Sequence, residues 1–314
     1  MADALDALVG RLIAGEAAAL ARCLTLIEDE RYAAPLLRRL HDRTGRARIV
    51  GFTGPPGVGK SSLIDSYIGE LRRAGQSVAV AAVDPSSPLT GGAVLGDRVR
   101  MHRHAEDPGV FIRSLASRGH LGGLSENIHR VLDVMDASGR DVVIIETVGA
   151  GQSEVEVAEA ADVCVVVCAP GLGDDVQAIK AGILEIADVL VVNKSDLPLA
   201  EQTVRQLRNM LKLRRDGLRD VPVVATSATT GSGLDDLREA IAARAARTPA
   251  QRQARRARRM RRLIAQRAGA ILRERILDAP DATIDALAAA AAAGTLDPGA
   301  AALQVLAHVA ARTR

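Results

Sequence analysis

The stretch GPPGVGKSS, residues 54–62, decides how this chain folds. It fits the pattern G-x-x-x-x-G-K-[ST], in which Gly54, Gly59, Lys60 and Ser61 occupy the fixed positions. Glycines let the backbone curl tightly, so that successive N–H groups can point at one anion. The positive N-terminus of a following helix adds to the same field. The pattern therefore predicts a loop that binds phosphate.

The sequence on both sides of this loop supports that prediction. Residues 47–53 form a short apolar run with β-branched side chains, and residues 63–71 place apolar side chains at helical spacing. Strand, loop and helix in that order is the setting such a loop requires. Lys60 is expected to set a positive charge against the outer phosphates, and the Ser61 hydroxyl is a hard oxygen suited to Mg²⁺. The other loop residues expected at the phosphates are Pro55, Pro56, Gly57, Val58 and Ser62.

The composition is that of an ordinary globular chain with an uneven distribution of charge. Of its 314 residues, 48% are hydrophobic and 25% are charged, and the formal net charge is +3. Two Phe, two Tyr and no Trp predict a core of Ala, Val, Leu and Ile, and argue against aromatic platforms for single-stranded nucleic acid. Residues 251–275 hold ten Arg and one Glu, so the basic character belongs to one segment.

Cysteine usage and the absence of a targeting pattern predict a cytoplasmic protein. Cys23, Cys164 and Cys168 provide no disulfide framework, which fits a reducing compartment. No suitable apolar run reaches the roughly 18 residues that a membrane span needs. The acidic start of the chain lacks the layout of a signal peptide. We therefore expect no membrane partner.

From about residue 47 the pattern alternates between strands and helices. Strands are predicted at 48–53, 77–83, 109–113, 141–146, 162–168, 188–193 and 221–226. Helices are predicted at 61–74, 124–137, 174–186, 201–214 and 233–246. Several strands are nearly continuous runs of Val, Ile and Ala, as expected where both faces of a sheet are covered. The prediction is an α/β fold with a doubly wound, largely parallel sheet and ligand sites at the carboxyl ends of its strands.

Helical segments are predicted on both sides of this core. Residues 2–30 indicate one or two amphipathic helices, and Pro35 with the stretch 42–46 is interpreted as breaking the pattern before the first strand. Three further helices are predicted at 251–277, 281–293 and 296–312. The predicted organisation is an N-terminal helical extension at 1–45, a nucleotide-binding domain at 46–248 and a C-terminal helical segment at 249–314.

A second motif predicts which base is bound. Residues 193–196 read NKSD at the end of the sixth predicted strand and fit N-K-x-D. The Asp196 carboxylate can accept from the ring N–H and the exocyclic amine of guanine, whereas adenine would leave it unpaired. Asn193 is expected to brace the loop, and the stem of Lys194 to lie over the base. The next strand end, TSA, contributes Ser227 and Ala228. GTP and GDP are therefore the expected ligands.

Three carboxylates stand at or after the ends of predicted strands. Asp84 ends the second strand, Asp97 lies in the loop that follows, and Glu146 ends the fourth strand. A Mg²⁺ ion between phosphates takes one or two carboxylates, and a carboxylate that ends a buried strand is costly unless it meets a cation. We expect Asp97 and Glu146 near Mg²⁺, and either Asp84 or Gln152 to order the attacking water. Glycines near Asp97 and Gln152 predict loops that a γ-phosphate could order.

Two other interpretations start from different residues. His102 and His104 form an H-x-H and His120 lies in a Gly-rich loop, but the sequence contains no His-rich or Cys-Pro-His segment. A metallochaperone-type GTPase for nickel enzyme maturation is therefore the less favoured alternative. The Arg-rich segment 251–275 leaves open a GTPase that binds nucleic acid. An apolar stripe through that segment favours a packed helix with a solvated Arg face, so nucleic acid is the less favoured partner. The stripe consists of Met260, Leu263, Ile264, Ala268, Ile271 and Leu272.

Together these motifs resemble the MeaB/ArgK family of P-loop GTPases, which includes the methylmalonic aciduria type A protein. The resemblance runs from about residue 20 to about residue 272. It rests on GFTGPPGVGKSSL, VAAVDPSSPLTGGAVLGDRVRM, IIETVGAGQSEVEVA, PGLGDDVQAIKAGI and NKSD. It implies a GTP-hydrolysing chaperone of adenosylcobalamin-dependent acyl-CoA mutases, chiefly methylmalonyl-CoA mutase, that gates cofactor loading and protects the mutase.

The resemblance also assigns roles that the residues alone leave open. By itself the loop at 170–183 reads as an ordinary turn before an Asp-capped helix. The resemblance implies an extra switch there, through which Gln177 and Lys180 report the nucleotide state to the mutase. It further implies a homodimer formed through the C-terminal helices, a place that residues 251–312 fit.

Overall fold

A seven-stranded β-sheet forms the centre of the computed structural model, which describes residues 2–85, 102–117, 123–147, 157–171, 186–213, 220–246, 249–277 and 280–311. Its strands are β1 Arg48–Thr53, β2 Val78–Pro85, β3 Val110–Ser117, β4 Val142–Thr147, β5 Val163–Cys168, β6 Val189–Val192 and β7 Val223–Ala225. Their order is β3-β2-β4-β1-β5-β6-β7, and every neighbouring pair is parallel. The predicted doubly wound parallel α/β fold is confirmed.

Two compact units make up the chain, residues 1–259 and residues 260–314. The helices of the first unit are α1 Ala2–Ile13, α2 Ala17–Leu26, α3 Glu30–Leu40, α4 Lys60–Arg73, α5 Gly123–Ala137, α6 Ala200–Leu213 and α7 Leu234–Ala245. Short 3-10 turns occupy His41–Arg43 and His102–His104. The helix predicted at 174–186 falls almost entirely outside the described residues.

Helices cover the sheet on both faces because its strands are apolar on both faces. Along β1, Ile49 points into a core with α1, α2, α3 and α5, while Val50 and Phe52 point into a core with α4 and α7. A third core places Val166 of β5 and neighbouring side chains of β6 against α6. Burial of nearly continuous Val and Ile runs on two sides supplies the main driving force for this arrangement.

The N-terminal extension differs from its prediction, because three helices precede β1 and Pro35 lies inside the third. The interpretation of Pro35 as a helix breaker was therefore wrong. Leu36 and Leu40 are completely buried, and this packing offsets the one N–H donor that proline removes. Asp29 caps the helix, since its carboxylate accepts from the Arg31 N–H at 3.0 Å.

Aspartates border the amino edge of the sheet in a repeated arrangement that the sequence analysis did not identify. Each directly precedes its own strand and accepts a backbone N–H at the start of the neighbouring chain segment. Asp141 accepts from Ser77 at 2.7 Å, Asp162 from Ile49 at 2.9 Å and Asp188 from Cys164 at 2.9 Å. These bonds satisfy donors that have no ladder partner where a strand begins and so help to fix the strand register.

The C-terminal part of the chain is helical, as predicted. Helix α8 is Pro249–Leu277, and it is followed in the chain by α9 Ala282–Ala292 and α10 Pro298–Ala311. Asp281 caps α9 and accepts from His308 of α10 at 2.9 Å, which lowers the pKa of Asp281 to about 2. None of the described helices combines the length and the apolar character needed to span a membrane.

Candidate functional site

The predicted phosphate-binding loop lies between β1 and α4, at the carboxyl edge of the sheet. Gly54, Gly57 and Gly59 have φ angles of 138°, 80° and 87°, in the left-handed range that favours glycine. At Gly54 a Cβ atom would lie 2.0 Å from the carbonyl oxygen of Val167 on β5. Only glycine therefore allows the loop to turn so closely beside the neighbouring strand, as the motif requires.

Lys60 and Ser61 begin helix α4, and both side chains are buried. The Lys60 Nζ donates to the carbonyl oxygens of Gly54 and Pro55 at 2.7 and 2.9 Å, so the ammonium group lies inside the curve of the loop. A positive charge in that position, next to backbone amides at a helix N-terminus, can attract the phosphates of a nucleotide.

Ser61 contacts the carboxylate of Glu146, the next-to-last residue of strand β4. Because β4 pairs directly with β1, Glu146 lies opposite Phe52, and its Oε1 accepts a hydrogen bond from the Ser61 Oγ at 2.6 Å. The Glu146 side chain is only 3% exposed. A hydroxyl and a carboxylate held together at a phosphate-binding loop are the hard oxygen ligands that Mg²⁺ prefers, so these two residues fit the ion.

The predicted base-reading loop packs directly on the phosphate-binding loop. Asn193, 1% exposed, donates through Nδ2 to the carbonyl oxygen of Val58 at 2.9 Å and of Gly59 at 3.3 Å. A Cβ at Gly59 would approach the Asn193 Nδ2 to 2.7 Å, so this contact also depends on glycine. The structure thus joins the two motifs, which are about 130 residues apart in sequence, into one site.

Lys194 adds a second connection between these loops. Its φ angle is 57°, an unusual value for a lysine, and its Nζ donates to the carbonyl oxygen of Gly57 at 2.8 Å. The aliphatic stem therefore spans from the base-reading loop to the phosphate-binding loop. A stem in that position can cover one face of a bound base.

Asp196 and Ser227 approach each other at the ends of β6 and β7. The Ser227 Oγ donates to the Asp196 Oδ1 at 2.5 Å. This hydrogen bond holds the pKa of the Asp196 carboxyl below its ordinary value, and the charge of Lys194 adds to the effect. The carboxylate therefore stays ionised and can accept from the two donors that guanine presents.

Thr226 and Ser66 also support this site, and the sequence analysis identified neither of them. The Thr226 Oγ1 donates to the Asn193 Oδ1 at 3.3 Å, and the Ala228 N–H donates to the same oxygen at 3.3 Å. The Ser66 Oγ donates to the Ala228 carbonyl oxygen at 3.0 Å. Thr226 belongs to the TSA motif and could have been included, whereas no sequence pattern singles out Ser66 on the exit side of α4.

The remaining predicted site residues stay predictions. Asp84 is the next-to-last residue of β2, which is separated from β1 by β4. Four others lie outside the described residues: Asp97, Gln152, Gln177 and Lys180. Of the histidines, His120 also lies outside them, and His104 Nε2 is 2.9 Å from the carbonyl oxygen of Asp65. Within the described ranges, no three or more His, Cys, Asp or Glu residues form a group that could hold a metal ion.

Fold and site together define a class of protein. A glycine-shaped phosphate loop with its lysine and serine, a carboxylate on the adjacent strand and a braced N-K-x-D loop are the features of a P-loop GTPase. The chain belongs to the MeaB family, since the model of that family, described as methylmalonyl Co-A mutase-associated GTPase MeaB, matches residues 20–281. The protein is therefore a GTPase that binds guanine nucleotides.

Individual relatives agree with this assignment. A GTPase of Pyrococcus horikoshii is 50% identical over 242 residues, which cover 76% of each chain. The GTPase ArgK of Escherichia coli is 39% identical over 244 residues, 74% of this chain and 73% of its own. The mitochondrial methylmalonic aciduria type A homolog of Caenorhabditis elegans is 39% identical over 226 residues, 66% of this chain and 57% of its own.

A solved structure has the same fold over nearly the whole chain. It is named LAO/AO transport system kinase, and it superimposes with a TM-score of 0.72 at 28% sequence identity. The match covers 97% of both chains. The similarity therefore includes the helical segments on either side of the GTPase core.

Proposed function

We propose that this protein is a Mg²⁺-dependent, GTP-hydrolysing chaperone of an adenosylcobalamin-dependent acyl-CoA mutase. The first candidate for that mutase is methylmalonyl-CoA mutase. It gates loading of the mutase cofactor and protects the mutase from inactivation. The observation that carries the proposal is the family match over residues 20–281, whose description includes association with that mutase. The name of the nematode relative, which refers to methylmalonic aciduria, points the same way.

The chemistry follows from the residues around the phosphate-binding loop. Lys60 and the amides of residues 54–62 hold the phosphates and stabilise the charge that develops during transfer, which is most of phosphoryl-transfer catalysis. Ser61 and Glu146 would hold Mg²⁺, which when bound neutralises phosphate charge, and Asp97 would lie nearby. Asp84 and Gln152 are the two candidates for orienting the attacking water.

Specificity for guanine is assigned to the second loop. Asp196 would accept from the guanine ring N–H and amine. The Ala228 N–H, which donates to the Asn193 Oδ1 at 3.3 Å, would exchange that acceptor for the guanine oxygen. Asn193 keeps this loop in register with the phosphate-binding loop through its bonds to Val58 and Gly59. Lys194 would cover the base while its Nζ remains on Gly57.

Nucleotide state would reach the mutase through the loop at 170–183, with Gln177 and Lys180 as the residues in that role. The protein would act in the cytoplasm as a homodimer joined by its C-terminal helices. Exposed apolar side chains on those helices are consistent with such contacts, at Met260, Ile264, Ile271, Leu277, Leu303 and Leu306. The three cysteines are buried thiols, as a reducing compartment allows.

The decisive experiment measures GTP turnover by the purified protein with and without methylmalonyl-CoA mutase, together with the survival of mutase activity during turnover. We expect the mutase to change the GTPase rate, and GTP to change adenosylcobalamin transfer to the mutase. Lys180→Ala should abolish this coupling and leave GTP affinity intact, while Lys212→Ala, an exposed lysine on α6, serves as the matched control. No effect of either protein on the other would reject the chaperone function.

The same preparation separates the competing functions. Stoichiometric nickel bound after dialysis would indicate metal delivery, and retention of RNA without retention of the mutase would indicate the nucleic-acid function. Transfer of labelled γ-phosphate to a protein acceptor would indicate a kinase, the activity named for the solved relative. Release of labelled phosphate into water without any of these is the expected result.

A further inference from the structure

Three helices that begin at the carboxyl edge of the sheet start with the same unusual backbone conformation. The residue before each helix accepts the first helical hydrogen bond: Gly59 from Leu63 at 2.9 Å, Gly233 from Leu237 at 3.0 Å and Leu199 from Thr203 at 2.9 Å. Their φ angles are 87°, 72° and 71°. Glycine adopts this left-handed conformation at little cost, whereas leucine does not.

Leucine at position 199 is therefore unfavourable for the stability of α6. It offers no side-chain oxygen to the free N–H groups of the helix, it occupies a conformation that crowds its Cβ, and its side chain is 58% exposed. Leu197, two residues earlier, is 45% exposed. A single exposed leucine is ordinary, but an exposed leucine in a strained backbone position points to a use outside the folded monomer.

A cavity lies beside these leucines, between α6 and the end of β7. Its volume is about 320 Å³. Ala200, Val204 and Ala225 give it an apolar wall, and its charged residues are Arg205, Arg208 and Glu201, with a net positive charge. Arg205 is 71% exposed and only loosely paired with Glu201, at 3.9 Å, so its guanidinium group is available to another carboxylate.

The cavity also borders the base-reading loop. Ser195, which follows Lys194 in N-K-x-D, lines it, and the Ser195 N–H donates to the Thr226 carbonyl oxygen at 2.9 Å. An occupant would therefore contact the same loop that reads guanine. Binding at the cavity and binding of nucleotide would be linked, each changing the affinity of the other by the same factor.

We propose that Leu197, Leu199 and this cavity form a docking surface for the acyl-CoA mutase, which would insert an aliphatic side chain and place carboxylates on Arg205 and Arg208. The inference rests on the proposed function and adds a contact separate from the loop at 170–183. A small molecule confined to the cavity would leave both leucines in water, since neither lines it. A protein surface covers both, and burial of the Leu199 side chain then offsets its strained backbone.

The test compares binding of methylmalonyl-CoA mutase to the full-length protein and to variants, in the presence of a non-hydrolysable GTP analogue. Leu199→Asn removes the apolar side chain and suits the left-handed conformation, so we expect unchanged or higher thermal stability and unchanged GTP turnover without the mutase. The affinity for the mutase should fall about tenfold or more, as loss of one buried leucine requires. Leu199→Gly, the residue at the two sister positions, should behave in the same way.

A pair of charge variants tests the acidic character of the partner. Arg205→Gln and Gln206→Glu each change the net charge by one unit at adjacent exposed positions of α6, but only Arg205 lines the cavity. We expect Arg205→Gln to weaken mutase binding several-fold more than Gln206→Glu.

The outcomes separate this inference from the function on which it rests. If the wild-type protein binds no mutase, both are rejected. If the wild-type protein binds and Leu199→Asn and Arg205→Gln bind equally well, the chaperone function stands and the docking surface is rejected. A change in self-association without a change in mutase binding would assign the surface to a second copy of the chain and overturn the proposal.

Discussion

Carboxylates border the sheet at both of its edges, where the strands begin and where they end. At the amino edge Asp141, Asp162 and Asp188 each accept backbone N–H groups of neighbouring segments, and their role is complete within the folded chain. At the carboxyl edge Glu146 and Asp196 accept from the hydroxyl groups of Ser61 and Ser227. Ser61 follows the loop whose amides and Lys60 can receive an anion, and Ser227 holds the carboxylate that can receive the donors of guanine.

The difference lies in what surrounds the acids. At the amino edge the donors are backbone N–H groups that would otherwise have no partner in the ladder, so the carboxylates stabilise the fold. At the carboxyl edge β1 leads into a glycine loop that can direct several donors to one point, and a ligand can complete the site. Substitutions at the carboxyl edge should therefore reduce activity more than stability, and those at the amino edge should do the reverse.

The largest effect is expected from Lys60→Ala. It removes the positive charge held inside the phosphate-binding loop, and loss of one such group at a transition state lowers turnover about 10³-fold. GTP hydrolysis under saturating nucleotide measures this, and thermal unfolding followed by circular dichroism should shift little. Lys212→Ala is the control, because it removes the same group from an exposed position of α6. Ordinary hydrolysis by Lys60→Ala would exclude the assigned site.

Asp196→Asn should have the next largest effect, and it should be selective. The amide would present a donor to the donors of guanine, so GTP affinity should fall at least about 100-fold while the weak affinity for ATP changes little. Calorimetry with both nucleotides measures the ratio. Asp220→Asn, the same change at an exposed residue before β7, controls for the lost charge. Equal losses for GTP and ATP would remove Asp196 from the base site.

Asp136→Ala, on the amino side of the sheet, should reduce stability more than activity. This buried carboxylate at the end of α5 accepts from the N–H groups of Gly45, Arg46 at 3.1 Å and Ala47 at 2.8 Å, and so fixes the entry to β1. Its removal should reduce the free energy of unfolding by about 2 kcal/mol, because buried donors lose their acceptor. Urea unfolding measures the loss, and Asp42→Ala, at an exposed aspartate in the turn before β1, is the comparison. Undiminished stability would contradict the proposed division between the two edges.

The two edges also differ in how far the sequence predicted them. Residues 54–62 and 193–196 are contiguous motifs whose residue types are dictated by phosphate and guanine, so their chemistry could be inferred without coordinates. The strands were predicted within a few residues because runs of Val and Ile buried on both faces leave few alternatives.

Contacts between distant segments could not be predicted in this way. Asp162 and Ile49 are 113 residues apart, and the Ser66 hydroxyl meets Ala228 across 162 residues. A lone polar residue carries no signal of its partner until the topology places the two together. The prediction of a helix break at Pro35 was wrong for a related reason. Local propensity favoured a break, but tertiary packing of Leu36 and Leu40 maintained the helix.

The smallest expected effect concerns the ionisation of Asp196. It tests whether a hydrogen bond at the carboxyl edge lowers the pKa of this carboxyl group. The Ser227 hydroxyl lowers the pKa of Asp196, so the carboxylate keeps its charge as the pH falls below the ordinary range for aspartate. Ser227→Ala removes that donor, and the pKa of Asp196 should rise toward its ordinary value. The ionised form would then be lost at a higher pH than in the wild-type protein.

Carbon-detected NMR of the Asp196 carboxyl group during an acid titration measures this shift directly. Ser195→Ala is the matched control, because Ser195 bonds to the Thr226 carbonyl oxygen through its backbone N–H, which the substitution keeps. At neutral pH Asp196 is ionised in all three proteins, so GTP affinity should differ little among them, in contrast to Asp196→Asn. Identical titration of the wild-type protein and Ser227→Ala would mean that this hydrogen bond does not lower the pKa of Asp196.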